Sequence, residues 1–203
     1  MLKRARSACW EARLALQQLG WRGRYLALDC ARALLGLPPR TSAHSIWTVR
    51  HRDAEGRLLW AECGHNMLHD EGELFFCQAL FTEEASVPEN YYLGLDNRAS
   101  LAEGDTLSNL VDEPSGNGYA RQAVASNATD FTISQEGGDY QAKTKTVTFT
   151  ADGGDIGPVT KMFLCTVASG TEGKLIASKA LSQSRTLSDG ESLECTFYIR
   201  FSE

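Results

Sequence analysis

The feature that most constrains this chain is a succession of short alternating segments from Tyr91 to Phe201, divided by glycine-bearing turns. Alternation with a period of two sends neighbouring side chains to opposite sides of an extended backbone, so each segment buries one face and must pair into packed sheets. Candidate strands are Tyr91–Leu95, Tyr119–Ser126, Asp130–Ser134, Lys143–Ala151, Val159–Val167, Lys174–Leu181 and Ser192–Phe201. The pattern is clearest in Lys143-Thr-Lys-Thr-Val-Thr-Phe-Thr150 and Leu193-Glu-Cys-Thr-Phe-Tyr-Ile-Arg-Phe201. Gly137-Gly138, Gly153-Gly154, Gly170, Gly173 and Asp189-Gly190 mark the turns, where residues tolerant of positive φ are needed. The expected body is mainly β, an antiparallel β-sandwich or jelly-roll-like fold.

Upstream, Ser45–Arg52 and Arg57–Glu62 flank Asp53-Ala-Glu-Gly56 and predict a β-hairpin with Gly56 at the turn. One body helix is expected from a cap at Asn66 to about Phe81, with Asp70, Glu71 and Glu73 near its positive end and Phe75, Ala79 and Leu80 toward the core. The first 40 residues differ in kind. Leu2, Ala5, Cys9, Ala12, Leu16 and Leu19 recur at spacings of three and four, the stripe of an amphipathic helix. Tyr25 to Leu35 suggest a second short helix, closed by Gly36 before Pro38-Pro39. This segment holds eight Lys/Arg and two acids, whereas the other 163 residues hold 12 basic and 24 acidic side chains. The domain reading is a basic helical arm with a Pro linker over 1–40 and a β-sandwich body over 41–203. Arginines on such an arm would suit a nucleic-acid backbone, but the equally clear apolar stripe favours a groove on a neighbouring protein. Leu2, Cys9, Leu16, Leu19, Arg4, Arg6 and Arg13 are the expected subunit-contact residues of the arm.

Several classes are disfavoured. The longest apolar runs, such as Leu74–Cys77, fall far short of the roughly 18 residues that span a bilayer. Arg13, Gln17 and Gln18 interrupt any secretory apolar region. Six cysteines (Cys9, Cys30, Cys63, Cys77, Cys165 and Cys195) lack a CxxC pair, and most are expected to be reduced, small buried hydrophobes. Cys63, His65, His69 and Cys77 form a candidate tetrahedral metal set. The spacing has no paired knuckle, and a cap at Asn66 leaves His65 outside the helix, so ordinary helix-surface histidines are the favoured reading. Asp152-Gly-Gly-Asp155 and Glu136-Gly-Gly-Asp139 lack the calcium-loop ladder and read as acidic turns. No nucleophile elbow or phosphate-binding loop occurs. Neither catalysis nor a cofactor is expected.

Asn90-Tyr-Tyr-Leu-Gly-Leu-Asp-Asn97, Leu101-Ala-Glu-Gly-Asp-Thr-Leu107 and Glu113-Pro-Ser-Gly-Asn-Gly-Tyr-Ala-Arg-Gln-Ala-Val124 carry a family likeness. It continues through Val147-Thr-Phe149, Gly157-Pro-Val-Thr160, Phe163-Leu164, Gly173-Lys-Leu-Ile176, Ala180-Leu-Ser182, Thr186-Leu187 and Asp189-Gly-Glu-Ser-Leu193. Over about residues 66–203 the chain resembles tailed-bacteriophage virion proteins described loosely as tail fibre or minor structural proteins. The resemblance implies a non-enzymatic virion component, made in the host cytoplasm and tail-associated as a fibre, adaptor or baseplate part; capsid decoration is the alternative. Homo-oligomerisation is expected, because virion parts reuse interfaces. Within its most specific segment, Tyr119 and Arg121 are expected on one strand face as subunit-contact residues, with Tyr119 packing in the core and Arg121 pairing with an acidic neighbour as the other reading. A carbohydrate-binding module is a further alternative, with Trp47, Trp60, Tyr91 and Tyr92 as its available platform, although their alternation fits core packing better.

Overall fold

Alternating segments pair antiparallel throughout a computed structural model that describes residues 43–201 except 111, 137 and 138. The two expected arm helices lie outside the described residues. The strands are β1 (Ala43–Arg52), β2 (Leu58–His65), β3 (Met67–Leu68), β4 (Asn90–Asp96), β5 (Gln122–Ala125) and β6 (Phe131–Glu136). They continue as β7 (Asp139–Thr144), β8 (Val147–Thr150), β9 (Ile156–Cys165), β10 (Leu175–Leu187) and β11 (Ser192–Phe201). Sheet one has the order β2-β1-β11-β7-β6, with β8 also paired to β11; sheet two has the order β3-β10-β9-β4-β5. The fold is thus mainly β, two antiparallel sheets with one α-helix, α1 (Asp70–Cys77), among the described residues.

The sheets enclose a core in which Trp47, Val49, Leu193 and Phe197 of sheet one share a cluster with Leu93, Leu95, Met162 and Leu164 of sheet two. Trp47 tilts against Phe197 with ring centroids 4.9 Å apart. Sheet two is buried on its other side as well. Phe163, Cys165 and Leu175 pack there under Leu107 and Leu110, which belong to the long excursion between β4 and β5. Gly94 makes this possible, because a Cβ there would fall inside the Phe163 ring.

The β1–β2 hairpin forms as expected: the Asp53 carboxylate accepts the backbone N–H groups of Glu55 and Arg57, and Gly56 takes φ 79°. Other expectations are corrected. The helix begins after His69, not Asn66, because Asn66 separates β2 from the short strand β3, which pairs with β10. Beyond Cys77 the helix widens into a single π-turn, Gln78–Thr82. The segment Lys143–Ala151 is two strands, β7 and β8, since the register on β11 changes between Lys143↔Tyr198 and Val147↔Cys195. β5 starts only at Gln122, which leaves Tyr119 and Arg121 in the preceding loop and removes their expected shared strand face.

Candidate functional site

At one end of the sandwich, sheet one extends past its cover. In the β6–β7 ladder Phe131 lies opposite Thr144, Ile133 opposite Ala142 and Gln135 opposite Tyr140, so these residues share a face. Thr144 is buried and Ile199, opposite Ala142 on β11, packs on the core, so this is the inward face of the sheet. Yet Ile133 is 65% exposed and Tyr140 is 61% exposed. The overhang walls an apolar cleft of about 340 Å³, bounded by Phe131, Ile133 and Ile199 on one side and by Phe76, Tyr91 and Leu164 on the other. Edge-to-face contacts of Tyr91 with Phe75 at 6.4 Å and Phe131 at 6.0 Å fix its floor. Among the described residues β6 is also the edge strand of sheet one.

The segment with the most specific sequence pattern serves the interior. Gly116, Asn117 and Gly118 all have positive φ, 75°, 50° and 78°. This coil brings the Asn117 side-chain amide to the Asp155 carbonyl at 2.7 Å. It also turns Tyr119 inward, where the ring stacks on Phe149 at 5.9 Å. The Tyr119 hydroxyl accepts the Leu95 N–H at 2.9 Å and donates to Glu113 at 2.8 Å. Arg121 grips the same carboxylate through Nε at 2.9 Å and Nη2 at 2.7 Å, and donates onward to the carbonyls of Val167 and Gly170. Its guanidinium lies 5.1 Å from the centre of the Phe163 ring. The expected acidic neighbour of Arg121 is therefore Glu113. That carboxylate knots the loop to β4 and, through Arg121, to the β9–β10 turn. Burial, reinforced by the Glu113 charge, pushes the Tyr119 phenol far above its ordinary value.

The candidate metal set is not assembled. Cys63 and His65 are exposed on the edge strand β2 and Cys77 is exposed at the end of α1, while His69 is fully buried. Among the described residues no group of three or more His, Cys, Asp or Glu is placed to hold a metal ion. His69 is a core group, not the helix-surface histidine expected. Its Nδ1 is 3.0 Å from the Ala102 carbonyl, its acceptor, and its Nε2 lies 2.8 Å from the Ser178 hydroxyl. Ser178 also receives Arg98, which clasps Asp96 with both arms and reaches Asp105. Burial, with the Arg98 charge adding to it, pulls the His69 imidazole below its ordinary value. Sequence reasoning missed this network because its members, spread from His69 to Ser178, follow no spacing rule; only the polar residues inside apolar strands hinted at it.

The aromatics weighed as a glycan platform are used in packing. Trp47 and Tyr91 belong to the main core, Tyr92 packs on the second cluster, and Trp60 lies under the Arg185 guanidinium at 4.1 Å. Asp152–Asp155 forms the β8–β9 turn, in which the Gly153 N–H donates to Asp189. The Glu136–Asp139 turn falls partly outside the described residues, as do all the arm contact residues, Leu2, Arg4, Arg6, Cys9, Arg13, Leu16 and Leu19. A family model described as podophage GP4 fiber I protein gp80 matches residues 76–199, which contain both the cleft and the Glu113 knot. No curated protein matches the chain.

Proposed function

The chain belongs to the podophage gp80 fibre protein family, a family of structural virion proteins, and on that premise we propose that it is a tail-associated subunit that docks on neighbouring virion proteins through its basic amino-terminal arm. The observation that carries the reading is the family match over most of the body. The charge division supports it: an arm with eight basic and two acidic residues precedes a body with twice as many acids as bases. Opposite charge accelerates encounter between arm and acceptor, and the apolar stripe then supplies contact area once the two meet. In this role the body is an adaptor whose loops are tied down by buried ion pairs.

The test is the copy number of the chain in purified virions, measured by quantitative mass spectrometry on separated head and tail fractions. A small, symmetry-sized number in the tail fraction is expected. Many copies on heads, scaling with the major capsid protein, would replace this reading with capsid decoration.

A further inference from the structure

We propose that the apolar cleft under the β6–β7 overhang receives the arm of a second copy of this chain, with Leu2, Cys9, Leu16 and Leu19 seated against Phe131, Ile133 and Ile199. This deepens the docking reading and rests on it. The cleft is the inward face of a sheet left without its cover, so its apolar residues are where a core would continue. A helix with the stripe expected of the arm, at spacings of three and four, would present a narrow apolar ridge, the shape that a cleft between two sheets accepts.

Two further observations favour the arm as occupant. The chain enters the body at the same end of sheet one: Ala43 lies opposite Phe201 and Ser45 opposite the cleft residue Ile199. In sequence, Pro38-Pro39 stands between the arm and β1 and favours an extended linker, which suits an arm that reaches a neighbour. Charge also matches. Glu83, Glu84 and Glu89 are exposed in the segment between α1 and β4, and the Glu89 carbonyl holds the cleft residue Ser126. Glu136 and Asp139 flank the β6–β7 turn in sequence. Of the two lysines of this hairpin region, Lys145 is paired with Asp130 and Lys143 lies over the Tyr198 ring. A basic arm arriving at this rim meets the exposed carboxylates of Glu83, Glu84 and Glu89.

Because arm and cleft are different surfaces, the contact is heterologous and can be tested by complementation. The full chain and the variants Ile133→Lys and Leu16→Glu are measured by light scattering, alone and mixed one to one; Tyr140→Lys, exposed on the same sheet face as Ile133, is a second variant of the overhang. The parent is expected to self-associate, each variant alone to be monomeric with apparent Kd raised on the order of 100-fold, and the mixture of Ile133→Lys with Leu16→Glu to form a heterodimer. In that mixture an intact arm meets an intact cleft exactly once. A monomeric parent overturns the proposal, as does self-association that survives in both Ile133→Lys and Tyr140→Lys, or a mixture that stays monomeric. A monomeric parent that is still present in tails, and lost from them on Leu16→Glu, separates failure of this contact from failure of the docking reading.

Discussion

A single carboxylate, Glu113, satisfies the hydroxyl of Tyr119 and two nitrogens of Arg121, whose side chain is only 2% exposed. Removing its charge leaves a buried guanidinium without compensation, which is where the large costs of broken ion pairs arise. Glu113→Gln is expected to lower stability by about 2–3 kcal/mol, moderated by partial exposure of the carboxylate, whereas Tyr119→Phe loses one hydroxyl network at about 1–2 kcal/mol. Urea unfolding of both variants measures this, and a loss under about 0.5 kcal/mol for Glu113→Gln would show that solvent replaces the carboxylate at no real cost. The sequence made Tyr119 and Arg121 legible as a packed ring and a paired cation. It did not reveal that they share one partner, because a coil of three positive-φ residues, not a strand, aims them. His69 carries a second prediction. Its folded imidazole holds its proton less readily than the unfolded one, whose ordinary value is 6.5, chiefly because it is buried. The unfolded state therefore binds more protons as pH falls through the region of 6.5, and stability is lost in that window until the folded imidazole is itself protonated. Urea midpoints should fall between pH 7.5 and pH 5, and His69→Gln should flatten that slope; an unchanged slope would move the effect to another group.

Two elements differ from their sequence patterns for identifiable reasons. Strict alternation over Lys143–Thr150 would place Lys143 and Lys145 on the same face as the buried Val147 and Phe149. One extra residue between β7 and β8 flips the faces, so Thr144 turns inward and both lysines stay exposed. The Thr144 hydroxyl then accepts the Phe197 N–H at 3.0 Å, and Thr146 bonds Thr196 at 2.9 Å. The conflict of two lysines on a core face was visible in the sequence, but its resolution by a bulge was not. The β1–β2 hairpin was legible because its turn chemistry is local, in Asp53 and Gly56. The helix start was not local. It is set by His69, whose backbone N–H donates to Ile176, and by Glu71, which accepts the N–H groups of Leu107 and Leu175. Gly72 lies so close to β10 that an added Cβ would overlap the Ile176 backbone. Gly72→Ala should thus reverse the usual preference: helix propensity alone would favour alanine by about 1 kcal/mol, but pushing α1 off sheet two should cost about 1–3 kcal/mol. A raised denaturation midpoint in this variant would mean that α1 shifts freely.

Over the whole molecule, charge and apolar surface are divided between two segments, and that division predicts how assembly responds to salt. The arm carries eight basic residues, and most of the acid lies in the body. Attraction between them acts over a Debye length of about 8 Å at physiological ionic strength and about 3 Å at 1 M. In the proposed contact it would therefore govern encounter far more than the final docking, where water is displaced and apolar area decides the dissociation rate. The exposed apolar residues of the body, including Ile133, Tyr140 and Phe81, require no counterion, so an apolar contact made through them would not weaken in salt. Raising NaCl from 0.05 M to 1 M should slow self-association of the full chain by roughly tenfold or more while leaving dissociation nearly unchanged. Stopped-flow light scattering separates the two rates. If dissociation accelerates as strongly as association slows, surface charge alone holds the assembled state and the apolar stripe is not seated. If neither rate responds, the acidic body does not steer the arm, and the division of charge along the chain has another cause.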